Sequence, residues 1–221
     1  GRSLAMLNQP DPALEQFRAL IKRGGEWTER AYYQIGQLES ARGRLEECLQ
    51  ALERLEALSP RSNLIPEARW IRAEALLKLK RHGEAQAILK PLADDPSTNL
   101  AGRAAYTLGL SYLESDSPEQ ALEVWDAALK KAPKSPLAPA LLFRSGEAAL
   151  KLDKKAEARR LFAQAAEVDP SDPWADDALL RATRLAVEDR DVTEGRRLIA
   201  EFKVRHAKSV LLADLQLLEG R

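Results

Sequence analysis

The chain has 221 residues, with 34 lysines and arginines set against 34 aspartates and glutamates, so its net charge is zero. That balance excludes the whole-chain basic footprint of a nucleic-acid or anionic-lipid binder, and the longest apolar runs fall far short of the roughly 20 residues a membrane-spanning helix needs. The 45% hydrophobic content is enough for a real core, and the single cysteine makes no internal disulfide.

In chain order, the residues repeat. Asp11-Pro12 reads as a cap followed by a helix-start proline, leading into Ala13 and Phe17, and Gly24-Gly25 reads as a turn. Four unit boundaries then end alike, with prolines at 60, 96, 133 and 170. A fifth, at His206-Ala207-Lys208-Ser209, has Ala where the others have Pro. Between the boundaries, small residues recur at Gly36, Ala73, Gly109, Gly146 and Thr183, and again at Cys48, Ala85, Ala121, Ala158 and Gly195. A bulky column follows at Leu52, Leu89, Trp125, Phe162 and Ile199. All these columns keep a 36–37-residue period, which marks a repeat architecture.

Each unit reads as two helices, since no alternating strand pattern competes. In the third unit the helices are predicted over about Leu100 to Glu114 and Pro118 to Lys131. Ser117 with Gln120, and Asp191 with Glu194, have capping-box spacing, and Asp172-Pro173 is a further cap-plus-proline start. Pro91 lacks an N–H, so its helix is expected to kink or stop near Lys90. The small columns imply close helix crossings, where a side chain larger than Ala would push the axes apart. A helix pair of this kind cannot bury its apolar face alone and must stack on its neighbours. The expected fold is all-α, a right-handed α-solenoid of antiparallel helix pairs. The approximate units are 1–27, 28–62, 63–98, 99–135, 136–172, 173–209 and 210–221, the first and last partial.

The third unit resembles the tetratricopeptide repeat, a 34-residue helix–turn–helix: Leu108-Gly109, Tyr112, Ala121, Trp125, Ala128 and Pro133 fall at that family's signature spacings. Ala105 departs from the pattern, standing where a large aromatic is expected. The longer period implies first helices that start earlier and run longer. It is similar to a subgroup of bacterial envelope proteins, the outer-membrane-assembly lipoproteins and the Tol–Pal coordinator, and implies a periplasmic or envelope-associated setting. Gly1 and Gly220 fall on the mid-helix small column of flanking first helices. The chain is thus expected to be a piece of a longer array, with Leu4, Leu7, Leu215 and Leu218 uncovered and self-association through an end.

Chemistry-bearing residues are sparse. His82 and His206 read as exposed turn residues, Cys48 as a packed thiol, and Asp94-Asp95 and Asp176-Asp177 as helix-start charge complementing the macrodipole. Arg159-Arg160 and Arg196-Arg197 read as a solvated face. No catalytic group, cofactor or metal is expected. The one constellation suited to binding is a ladder, Tyr33, Trp70, Tyr106, Phe143 and Leu180, with Gln37, Glu74, Leu110, Glu147 and Arg184 one turn on. In proteins the chain resembles, this column faces a concave groove that contacts a peptide. The same rings equally suit a packed seam between successive first helices, given a further apolar column at Leu77, Leu113, Leu150 and Val187. Gln37 and Glu74 do not match the lysines and asparagines of the family's carboxylate-clamp subgroup. The expected function is a non-catalytic scaffold or adaptor that binds a protein segment. A structural spacer and an accessory domain of an enzyme are the alternatives.

Overall fold

The computed structural model describes residues 10–219. Gly1, Leu4, Leu7 and Gly220 lie outside them. Among the described residues there are twelve helices and no strand. They are α1 (Pro10–Arg23), α2 (Thr28–Ala41), α3 (Leu45–Leu58), α4 (Ile65–Lys78), α5 (His82–Asp94), α6 (Ala101–Glu114), α7 (Pro118–Lys131), α8 (Ala138–Lys151), α9 (Lys155–Val168), α10 (Ala175–Glu188), α11 (Val192–Arg205) and α12 (Leu212–Glu219). Two 14-residue helices, a three-residue turn within the pair and a six-residue turn between pairs make the 37-residue period; α5, with 13 residues, accounts for the one spacing of 36. The chain forms two compact units, residues 1–104 and 105–221.

The first helices are no longer than the second. The residues after each boundary proline form a double turn instead of an early helix start. In its first half, the N–H of Ser62, Thr98, Ser135, Asp172 or Ser209 donates to the carbonyl three residues back, with Pro (or Ala207) second in the turn. Proline's fixed φ suits that place. The same five residues organise the second half. The side-chain oxygens of Ser62, Thr98, Ser135, Asp172 and Ser209 accept from the N–H groups of Leu64, Leu100, Leu137, Trp174 and Leu211 at 2.8–3.2 Å. Asp172 is therefore a turn-former three residues ahead of α10, not its cap. Asp11 likewise lies inside α1 and pairs with Arg42 at 2.7 Å.

The three-residue turns share a different device. Gly43, Lys80, Asp116, Asp153 and Arg190 all have φ between 55° and 74°, and the N–H of the next residue reaches back five residues to the helix carbonyl. This is a Schellman-type ending, which glycine adopts at least cost. Of the capping boxes expected beyond these turns, Asp191 accepts from the Glu194 N–H at 3.1 Å, while Glu194 turns to Arg197. Ser117 forms no cap, because its hydroxyl donates to the Ser115 carbonyl. Helix α5 continues through Pro91 to Asp94: the proline sits in the last turn, where it removes one hydrogen bond, and buried Leu92 holds the turn down. Asp94 thus ends a helix rather than starting one, and His82 begins α5 rather than lying in the turn.

The core follows the small and bulky columns. An added Cβ on Gly36 would run into Leu52, one on Gly109 into Trp125, and one on Gly146 would sit 2.7 Å from Phe162. Cys48, Ala85, Ala121 and Ala158 are fully buried beside these crossings. Trp125, wholly enclosed, donates its indole N–H to the Tyr106 carbonyl at 3.3 Å, so its polar atom is satisfied. Thr183 satisfies its hydroxyl on the Leu179 carbonyl at 2.8 Å. Leu215 and Leu218 are buried, against expectation, because α12 turns them into the cluster formed with α9, α10 and α11. One buried charge escapes the pattern. Glu39 is fully enclosed, with Arg18, Arg42 and Arg44 at 3.7–4.0 Å, where the matching residues of other units include Leu76, Ala149 and Ala186.

Candidate functional site: the ladder of the first helices

In residues 1–104 the ladder contributes Tyr33 from α2 and Trp70 from α4. Trp70 is buried at 6% exposure, and the guanidinium of Arg103 lies over its ring, 4.5 Å from the centroid. Tyr33 is only half-buried. Its hydroxyl accepts from Gln37 Nε2 at 3.1 Å, and Gln37 accepts from Gln34 at 2.8 Å. Burial, and then the Glu67 carboxylate, raise the Tyr33 phenol above its ordinary value. Beside Tyr33 a cleft of about 370 Å³ opens between α1, α2 and the turn before α4. Phe17, Leu20, Trp27, Tyr33 and Leu64 supply its apolar wall, and Arg30 and Gln34 its polar groups. Trp27 is 52% exposed, with Arg30 at 5.2 Å from its ring. Glu74, one turn beyond Trp70, is half-buried.

In residues 105–221 the ladder is closed at two of its three positions. Phe143 and Leu180 are buried. Phe143 meets Phe162 edge-on at 5.4 Å and Trp174 at 5.0 Å, and Arg181 covers it at 4.7 Å. Arg144 donates to Glu147 at 2.6 Å, Arg181 donates to the other Glu147 oxygen at 3.2 Å, and Arg144 Nε reaches the half-buried Tyr106 hydroxyl at 3.4 Å. Arg181 also pairs with Asp177 at 3.1 Å. Tyr106, Phe143 and Glu147 are thus joined in one network, while Leu110 packs into the core beside Trp125 and Arg184 stands exposed. The guanidiniums meet aromatic faces on one side and carboxylates on the other, an arrangement that holds successive first helices together.

The sequence reading missed Trp27, Arg103, Arg144, Trp174 and Arg181. Two of them were legible: Trp27 and Trp174 stand in a column otherwise made of Leu64, Leu100, Leu137 and Leu211, at the same 36–37 spacing. The Cys48 thiol is buried, which pushes its pKa up to about 11, and no cluster of three or more metal-ligating side chains occurs among the described residues.

The stacked pairs, with their crossings of small on large residues, define an all-helical solenoid. Residues 29–62 and 106–173 match models of the tetratricopeptide repeat, so the chain contains tetratricopeptide repeats in these segments. No curated protein matches the sequence. Among solved structures, the apo form of RapI is similar over 95% of this chain and 64% of that one, at 17% identity and a TM-score of 0.75. YrrB, described as a TPR protein with an unusual peptide-binding site, is similar over 92% of this chain and 98% of its own, at 18% identity and TM-score 0.62. A tetratricopeptide repeat protein from Parabacteroides merdae ATCC 43184 is similar over 88% and 75%, at 16% identity and TM-score 0.65. These likenesses establish the fold.

Proposed function

We propose that the chain is a non-catalytic adaptor that receives a peptide segment on the ladder face of its first helices, anchored at the Trp27–Tyr33 cleft. One observation carries the reading. Trp70 is buried under Arg103 at 4.5 Å and Phe143 under Arg181 at 4.7 Å, whereas Trp27 stays 52% exposed even with Arg30 at 5.2 Å from its ring, and with half-buried Tyr33 it lines an open cleft beside Gln34. A cleft with a rigid aromatic wall and a few polar groups suits one apolar side chain of an extended peptide, with Gln34, Gln37 and Arg30 orienting its backbone. The peptide-binding site that the description of YrrB records, on a similar fold, supports the same kind of use.

The test is selection of peptides from a displayed random library on the intact chain, followed by affinity measurement against Trp27→Ala and Tyr33→Ala. The expected result is a consensus with an apolar anchor and a loss of at least tenfold in both variants, their melting temperatures staying near wild type. Selected peptides that bind both variants as well as wild type would overturn the cleft as the anchor. The envelope setting implied by the long period belongs to the same proposal, and fractionation of the producing cell tests it.

A further inference from the structure

The enclosed carboxylate of Glu39 lies where other repeats carry Leu76, Ala149 and Ala186. Neither of its oxygens accepts a hydrogen bond from a described residue. Guanidiniums approach it from two elements: Arg18 of α1 at 3.7 Å, and Arg42 and Arg44 of the α2–α3 turn at 4.0 Å. Arg42 also pairs with Asp11, near the start of α1, at 2.7 Å. Two charges of α1, about two helical turns apart, thus meet the same short turn.

The link from α1 to α2 is unlike the other boundaries as well. Gly25 stands where Ser62, Thr98, Ser135, Asp172 and Ser209 organise theirs, and it has no side chain to accept from the Trp27 N–H. Gly24 and Gly25 have φ of 71° and 96°, and an added Cβ on either would meet nothing within 4 Å. A glycine pair accepts many backbone angles, so this link leaves the seat of α1 unfixed. The apolar contacts also leave it unfixed. Ala13, Leu14 and Phe17 pack with Ala31, Ile35 and Ala51, and such packing has no direction. An enclosed carboxylate is selective, because it is tolerated only where positive charge stands close. The next seat has the opposite polarity: Glu53, the counterpart of Arg18, and Glu56 accept from Arg72 at 3.0 and 2.6 Å. Helix α1 set on α4 would bring Arg18 against Arg72.

We infer that Glu39 is a positioning residue: it fixes the register of α1 on α2 and α3 and with it, on the reading of the cleft given above, the Phe17 and Leu20 wall against which a peptide lies. Stability does not depend on it. Enclosed charges 3.7–4.0 Å apart, without hydrogen bonds, recover little of their lost hydration. Leucine, the residue of the next repeat, would hold α1 as firmly but in more than one register.

Nitroxide labels at Ala19→Cys on α1 and Gln50→Cys on α3, both exposed positions, read the seat in the intact chain by double electron–electron resonance, with Cys48→Ala removing the native thiol. The parent should give one narrow distance distribution. Glu39→Leu and the near-isosteric Glu39→Gln should broaden or split it, the urea midpoint of Glu39→Leu staying at or above the parent's. Affinity for a library-selected peptide should fall about tenfold in Glu39→Leu, since fewer chains hold the cleft wall in place. Distributions as narrow as the parent's in both variants would overturn the positioning role. So would a urea midpoint of Glu39→Leu well below the parent's, which would make Glu39 a stability residue. A broadened distribution with unchanged peptide affinity would overturn the link to the cleft. A library that yields no binder would count against the cleft alone, because the label distances need no peptide.

Discussion

Phe162 lies so close over Gly146 that a Cβ on the glycine would fall 2.7 Å from the ring's Cε1. The crossing of α8 and α9 is thus set by the absence of one carbon. Both residues are buried in the core of residues 105–221, so neither the ring nor the helix can yield to solvent. Gly146→Ala should destabilise the protein by about 1–3 kcal/mol through overpacking, despite alanine's better helix propensity. Urea unfolding measures it; a variant as stable as wild type would mean that this crossing tolerates separation.

Gly195 provides the opposite sign in the same fold. It stands in a small column where Ala85, Ala121 and Ala158 occupy the equivalent places. A Cβ there meets only Val187, at 3.8 Å, an ordinary contact. Gly195→Ala should therefore stabilise by about 0.5–1 kcal/mol, the conformational entropy of glycine being removed without a clash. A drop in the urea midpoint would contradict it.

The two glycines mark how far the sequence could be read. The 37-residue period and the crossings were legible because close packing demands small residues opposite large ones, and that demand is written in residue size. The boundary turn was misread because Asp172-Pro173 looks like an ordinary helix start and the longer period suggests longer first helices, while the side chains of Ser62, Thr98, Ser135, Asp172 and Ser209 serve a turn that precedes the helix. The ladder was legible as a column but not in its state. Whether Trp70 or Phe143 is open depends on arginines three positions before or one after the ladder in the next unit, and on the rotamers that bring them over the rings.

Arg190 ends α10 in the left-handed region, at φ 57°, where its first-repeat counterpart is Gly43. A side chain there costs about 1–2 kcal/mol that glycine avoids. Arg190→Gly should raise stability by about 1 kcal/mol, part of the gain being offset by the freedom of glycine in the unfolded chain. Thermal unfolding of the variant beside wild type measures the difference; an unchanged or lower melting temperature would rule the strain out.

Cys48 links packing to pH. Burial is the largest cause of its raised pKa, about 11 against an ordinary 9.0, with the Ser40 hydrogen bond opposing it. In the unfolded chain the thiol ionises first, so between about pH 9 and pH 11 the unfolded state holds fewer protons than the folded one. The sign of linkage then makes stability fall as pH rises through that window. Cys48→Ala, which keeps the small column's size, should remove this part of the alkaline loss. Iodoacetamide at about pH 8 should label the unfolded chain readily and the folded chain slowly, and equal labelling would show the thiol to be open.

Trp70 and Tyr106 separate packing from binding along the ladder. Trp70 is buried beneath Arg103, so Trp70→Ala should cost about 3–5 kcal/mol of stability, as the truncation of an enclosed aromatic does. Tyr106 is half-buried, and its hydroxyl accepts only a long hydrogen bond from Arg144, so Tyr106→Ala should cost clearly less. Binding of a selected peptide should follow a different order. Trp27→Ala should weaken it by about 2 kcal/mol, as loss of a central aromatic anchor does, with little change in melting temperature. Tyr106→Phe, which keeps the ring, should leave both quantities near wild type. The measurements are urea melts and peptide titrations on the same four variants. If Trp70→Ala lost peptide affinity while keeping its melting temperature, Trp70 would be an open contact residue and the packed-seam reading of its part of the ladder would fall.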